Sequence, residues 1–257
     1  MAMRLRKYQQ EIVDYVEGAM AFGSTKIAIE APTGAGKSVI ISELCRVRSC
    51  DKIVISVNVS KLVTQLSDHL TTMGIKHSIL KAGMEDKYDE NERVQIWMDN
   101  TFHARKKKIS FKADLVIKDE LHLGVTGDMF SGLCDHVQPR AIVGTSATPY
   151  DQHGVALKGY EICSFTDIKS LTNDGFLMPA DTVITQTGQK IDLASIKGSS
   201  DYSESELDNL LNNDEYNQAV VEAYVLHGSP KVYDDTIPDI FKSKDYHGAM
   251  EKNTLDI

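Results

Sequence analysis

Short β-branched runs alternate along the chain with longer stretches that carry apolar residues at helical spacing. KIAIE (26–30), DKIVISVN (51–58), HSIL (77–80), RVQIWM (93–98), ADLVIKDE (113–120) and RAIVGTS (140–146) predict strands. Most are apolar at consecutive positions, as strands buried on both faces of a parallel sheet are. Residues 37–48 and 60–72 predict helices, with Ser60 as the cap of the second. Alternation at this pitch predicts βαβ units, and so an α/β class with a mostly parallel sheet and helices on both faces. Ligands of such sheets bind outside the carboxyl ends of the strands.

The pattern loosens after about residue 150. Residues 167–177 predict a helix ending near Gly175, ahead of Pro179. DTVIT (181–185) predicts a strand. Residues 203–227 predict a helix, with Ser203 and Glu206 in capping-box spacing. Residues 228–257 hold two prolines and many charges and show no period.

Composition changes this picture in two places. The formal net charge of −9 argues against a nucleic-acid binder. Its distribution weakens that argument. Residues 1–180 hold 22 acidic and 22 basic side chains, whereas 181–257 hold 15 and 6, so the excess lies wholly in the C-terminal part. Cys45, Cys50, Cys134 and Cys163 have no CxxC or zinc spacing, which predicts structural thiols in a reduced, cytoplasmic setting. No apolar run approaches the roughly 18 residues that span a bilayer, and MAMRLRKYQQ lacks a signal peptide's apolar core.

The main chemical signal is APTGAGKS (31–38), between a strand and a helix, as a phosphate-binding loop requires. Gly34 and Gly36 let the backbone curl so that amides, including those of Thr33 and Ala35, face phosphate oxygens. The helix N-terminus adds its positive dipole end. Lys37 is placed for the β- and γ-phosphates and Ser38 for magnesium. ADLVIKDELH sets Asp119 and Glu120 at the carboxyl end of a strand, where one carboxylate would stand near Mg²⁺ and the other would orient the attacking water. Lys118 is at odds with a strand buried on both faces. Either it faces a polar cavity, or it destabilises the site.

DELH (119–122) resembles the DEAD/DEAH box of superfamily 2 helicases, and other segments follow in that family's order. Ala31, where the general loop pattern has glycine, matches the helicase variant. LRKYQQ (5–10) resembles the adenine-recognition motif, which implies that Gln9 reads the adenine edge and Arg6 lies near the base. VNVSKLVTQ (57–65) and QIWMDNTFHAR (95–105) resemble segments that touch the nucleic-acid backbone, which implies roles for Ser60, Lys61, Gln65, Thr101 and Arg105. GTSATPY (144–150) resembles the coupling motif, with Ser146, Ala147 and Thr148, and by resemblance His122 links it to the ATP site. GFLMPA (175–180) resembles the exit to a second lobe. Within the family the RadD-like and type III restriction-type branch, phage members included, is the nearest in pattern.

Blander readings stand beside these. Tyr8 and Gln9 could cap the first helix, Thr101 could be an ordinary surface residue, and 105–108 could be a solvated basic loop. His103, His136 and His153 show no ligand spacing.

The resemblance implies a RecA-like phosphate-loop domain over 1–170. Residues 171–227 would be a linker and lead-in to a second lobe, and 228–257 an unmatched acidic tail that is a candidate for disorder. ATP and Mg²⁺ are the implied cofactors, and nucleic acid, DNA ahead of RNA, the implied partner. The family's arginine finger comes from the second lobe, but no arginine follows Arg140 in these residues. The expectation is a helicase-type ATPase that needs a second lobe or protein partner in trans and does not unwind by itself. The alternative is a non-catalytic nucleotide-binding or regulatory module acting with a helicase or DNA-processing partner.

Overall fold

The computed structural model describes residues 4–123, 128–150 and 157–179, with four further positions at 217, 218, 221 and 222. The chain divides into two compact units, Met1–Leu177 and Met178–Ile257. In the second unit the four described positions are helical, and Gln218 Nε2 donates to Glu222 Oε1 one turn on (2.9 Å). The sequence-predicted strand at 181–185, most of the helix at 203–227, the tail at 228–257 and His153 lie outside the described residues.

The first unit is a seven-stranded parallel sheet. Its strands are β1 (Lys26–Glu30), β2 (Ile53–Val57), β3 (His77–Leu80), β4 (Val94–Met98), β5 (Leu115–Lys118), β6 (Ala141–Ser146) and β7 (Glu161–Ser164), in the spatial order β3-β4-β2-β5-β6-β1-β7. The helices are α1 (Lys7–Ala21), α2 (Lys37–Val47), α3 (Ser60–Thr72), α4 (Asp99–Arg105), α5 (Asp128–Val137) and α6 (Ile168–Asn173).

Strand alternation sends side chains to two cores. Ile27, Ile29, Ile53, Ile55 and Val57 face one side and meet Ile12 and Val16 of α1, Ile41 and Leu44 of α2, and Val63 and Leu70 of α3. Ala28, Val54, Val116 and Trp97 face the other side and meet Phe102 of α4 and Phe130, Leu133 and Val137 of α5. Trp97 stacks on Phe102 at 5.0 Å between ring centroids. Each such large apolar side chain stabilises the fold by about 1.5–3 kcal/mol on burial.

Three details differ from the sequence reading. Ser60 is not the cap of α3: Val59 is the cap residue, with an extended backbone, and Ser60 is already helical. The cap makes no side-chain bond, and the turn closes through the Leu62 N–H on the Val59 carbonyl (3.1 Å). The helix expected over 167–177 is α6 alone. Asp167 caps it by accepting from the Ser170 N–H (2.6 Å), and Gly175 (φ 74°) turns the chain out. The sheet also gains β7, whose pattern is half-exposed because it lies at an edge beside β1.

The strand order positions the candidate site. β5, β6 and β1 are neighbours, so DELH, the Ser146 motif and the phosphate loop all leave the same carboxyl edge side by side.

Candidate functional site

The phosphate loop leaves β1 and turns twice through the left-handed region, at Gly34 (φ 85°) and Gly36 (φ 79°). Gly36 is also the cap of α2, so Lys37 and Ser38 open the helix. Neither glycine has room for a side chain. A Cβ on Gly34 would lie 2.5 Å from Leu177 Cδ2, and one on Gly36 would lie 2.6 Å from Gln9 Nε2. The left-handed backbone requires glycine there, and a side chain would also displace Leu177 or Gln9.

The start of α1 braces the loop from outside. The Tyr8 hydroxyl (2.7 Å) and Gln9 Nε2 (3.0 Å) both donate to the Ala35 carbonyl. Gln9 Oε1 accepts from the Arg6 N–H (3.0 Å) at the start of α1, so Gln9 caps its helix and holds the loop at once. Arg6 donates to the Tyr8 hydroxyl (3.0 Å) and lies over the Phe176 ring, 4.0 Å from its centroid. These residues border a cavity of about 480 Å³ lined also by Phe165, Thr166 and Asp174.

The carboxylates arrive from β5. Glu120 Oε1 lies 2.9 Å from Lys37 Nζ, an ion pair on the carboxyl edge of the sheet. Glu120 holds φ at 50°, a left-handed conformation that costs a residue with a side chain about 1–3 kcal/mol. Its N–H donates to Asp119 Oδ1 (3.1 Å), and the Thr145 hydroxyl donates to the same oxygen (2.8 Å). Burial pushes the Asp119 carboxyl above its ordinary value and Glu120 adds to the rise, while Thr145 and Lys37 oppose it. Among the described residues no group of three or more His, Cys, Asp and Glu could hold a metal ion. Ser38 and one carboxylate, Asp119, suit magnesium, which takes few protein ligands and draws the rest from phosphate and water.

Comparison with known proteins gives the family and the fold. The model of the family described as "Type III restriction enzyme, res subunit" matches residues 2–151. The chain belongs to this family. It is 25% identical over 244 residues to the putative ATP-dependent helicase IRC3 of Saccharomyces cerevisiae, covering 86% of this chain and 34% of that protein. It therefore spans about a third of the length of this curated relative. The UvsW helicase from bacteriophage T4 superposes with a TM-score of 0.50 at 23% identity, over 63% of this chain and 60% of that one. The type ISP restriction-modification enzyme LlaGI, solved with a DNA substrate mimic, gives 0.54 at 13% identity over 67% and 21%. The fold is the RecA-like phosphate-loop fold of these helicases, and the family is of the ATP-dependent helicase type.

In this res-subunit family member the DELH segment and the Ser146 motif touch directly. His122 Nδ1 lies 2.8 Å from Ser146 Oγ, and Ser146 Oγ accepts from the Thr148 N–H (3.0 Å). His122 also lies 3.6 Å from Glu120. Ala147 is half-buried and Thr148 exposed. Ser60, Lys61 and Gln65 are exposed on the first turns of α3. Thr101 is buried, and its hydroxyl accepts from the Ala82 N–H (3.2 Å). Arg105 pairs with Glu85 (2.6 Å), while Lys106, Lys107 and Lys108 form an exposed turn. His136 Nε2 lies 2.8 Å from the Ile109 carbonyl, a structural role.

Three participants were missed in the sequence. Thr145 bonds Asp119, and its place just before Ser146 at the end of β6 was the available signal. In the sequence Tyr8 reads only as a cap. Nothing local marked Phe176, since its contact with Arg6 spans most of the unit.

Lys118 also finds its explanation. It is fully buried and pairs with Asp99 (2.5 Å), so a buried carboxylate meets its charge.

Proposed function

We propose that this chain binds ATP with magnesium at the phosphate loop, hydrolyses it, and couples that cycle to nucleic acid, DNA rather than RNA. The Lys37–Glu120 ion pair at 2.9 Å carries the reading. It brings the phosphate-contacting lysine and the water-orienting carboxylate to one point, and a protein with no phosphate to handle has no use for that pair beside two left-handed glycines. In the reading, Lys37 leaves Glu120 for the β- and γ-phosphates, and the freed Glu120 carboxylate orients the attacking water. Ser38 and Asp119 would hold the magnesium, which would supply positive charge to the phosphate oxygens. Arg6, Gln9 and the Phe176 ring flank the base.

Exposed Ser60, Lys61, Gln65 and Lys106–Lys108 supply backbone contacts, supported by buried Thr101 and by Arg105 paired with Glu85. LlaGI, solved with a DNA mimic, supports the choice of DNA. Transition-state charge on the γ-phosphate calls for a further cation, and the reading assigns it to an arginine from a second lobe or partner in trans, worth on the order of 10³–10⁵ in rate. Residues 1–170 are the catalytic lobe in this reading, with 171–227 leading towards the second.

The test is ATP turnover with and without single-stranded DNA, beside Lys37→Ala and Glu120→Gln. Turnover that DNA stimulates and both substitutions abolish supports the reading. Magnesium-dependent ATP binding without turnover, lost in Lys37→Ala, would leave a nucleotide-binding module. ATP binding unaffected by Lys37→Ala would overturn the site.

A further inference from the structure

Lys118 and Asp99 lie on the far face of the sheet from α2, outside the site described above. Lys118 is the residue before Asp119, and its ammonium is fully buried. Asp99 is the first residue of α4, and its carboxylate is nearly as buried. Lys118 Nζ lies 2.5 Å from Asp99 Oδ2, and the Ser56 hydroxyl donates to Asp99 Oδ1 (2.6 Å). Ser56 also acts through its backbone: its carbonyl accepts the Asp119 N–H (3.1 Å). One residue of β2 thus grips the start of α4 with its side chain and the Asp119 backbone with its main chain. The Phe130 ring of α5 lies 5.7 Å from the ammonium and helps enclose the pair.

A buried ion pair of this kind does little for net stability, because desolvating both charges offsets their attraction. What it does impose is geometry. Two buried charges tolerate almost no separation, since each would be left without a partner in an apolar surround. α4 is short, and it carries Thr101 and Arg105. Its first residue is therefore tied to the strand that delivers Asp119 and Glu120.

We propose that Lys118, Asp99 and Ser56 are positioning residues that couple the nucleotide site to α4, the helix that supports the proposed nucleic-acid contacts at Lys106–Lys108. This rests on the function proposed above. A shift of the Asp119 segment on nucleotide binding is passed to α4 through the ion pair, and a shift of α4 on DNA returns the same way. Such coupling is reciprocal by thermodynamic necessity.

The experiment is a linkage measurement on the full chain. The affinity for a fluorescein-labelled single-stranded oligonucleotide is measured by anisotropy with and without ATPγS and magnesium, and ATPγS affinity is measured alone. The variants are Lys118→Met/Asp99→Leu, which removes both charges at similar volume, and Ser56→Ala, which keeps the ion pair and cuts one tie. In the wild type, nucleotide is expected to change oligonucleotide affinity by about fivefold or more, the lower end of typical couplings. In the double variant that ratio falls to within about twofold of one, while each affinity measured alone stays within about threefold of wild type, and Ser56→Ala gives an intermediate ratio.

A double variant that keeps the wild-type ratio overturns the proposal. So does one that loses oligonucleotide binding outright, which would make the pair a structural support of α4 only. If the double variant fails to fold, a wild-type ratio in Ser56→Ala overturns it. A wild-type chain that binds both ligands with no coupling sinks this inference alone. One that binds neither sinks the functional reading with it.

Discussion

His122 Nδ1 and Ser146 Oγ meet at 2.8 Å, joining the segment after β5 to the end of β6. Ser146 Oγ also accepts from the Thr148 N–H, so a single oxygen connects the carboxylate segment to the turn that follows. Ser146→Ala removes this junction without touching the phosphate loop. One such bond is worth about 1 kcal/mol, so DNA-stimulated turnover is expected to fall roughly fivefold while ATP affinity holds. Steady-state kinetics with and without DNA check this, and an equal loss in both conditions would refute it.

Asp119 is a half-buried acid whose folded pKa is raised, desolvation being the first cause. Its ionisation therefore works against folding: the cost is absent at low pH and appears as pH rises through the folded value. Asp119→Asn keeps an oxygen for Thr145 and Glu120 and removes that cost. The nucleotide-free variant should melt a few degrees higher than wild type at pH 7, about 2–4 °C per kcal/mol, and the gain should vanish in acid. Its magnesium-dependent nucleotide affinity should drop. Melting curves across pH, without ligand, decide the first point.

Gly144 of β6 lies directly under Leu121, which is fully buried, and a Cβ there would fall inside the leucine side chain. Gly144→Ala should cost about 1–3 kcal/mol as an overpacking change and should displace the DELH segment. Adding Leu121→Ala should relieve the clash, so that the double variant is no less stable than Leu121→Ala alone. Chemical denaturation of the three variants measures this.

The Glu85 carboxyl is held down to about 2, first by the hydrogen bond from Arg105 and then by backbone bonds. A depressed acid contributes its stabilisation above the unfolded value of about 4.5, and the contribution is lost as pH falls towards the folded value. The Arg105–Glu85 pair should thus survive moderate acid. A carboxyl NMR titration should place Glu85 near 2 in the wild type and shift it upward in Arg105→Ala. An unchanged midpoint in the variant would discard the pair as the cause.

Lys118→Met alone should be costly, about 3–5 kcal/mol, because it leaves Asp99 charged and buried without a partner. Adding Asp99→Leu should recover most of that loss, since neither charge then remains to be desolvated. Denaturation midpoints of the single and double variants check the recovery.

Much of the site was legible because its signals are local. Gly34 and Gly36 are required by the backbone angles of a loop read within eight residues. Asp119 and Glu120 follow an apolar run whose length and composition announce a strand end. The cap of α3 was misread for an equally local reason: a serine at a helix start signals a cap, but the chain enters the helix one residue sooner, through Val59.

Periodicity and loop chemistry by themselves determined the parallel α/β class, six of the seven strands, the phosphate loop and the acidic strand end, because each depends on the φ/ψ preferences and burial pattern of adjacent residues. Only the tertiary structure decided that Tyr8 braces Ala35, that Thr145 bonds Asp119, and that Lys118 is paired with Asp99 rather than stranded. The physical reason lies in the strand order β3-β4-β2-β5-β6-β1-β7, which sets β5 between β2 and β6 and brings together side chains 19 to 26 residues apart, while α1 folds back onto the loop after β1. A lysine in an apolar strand looks like a fault until the fold places a carboxylate against it.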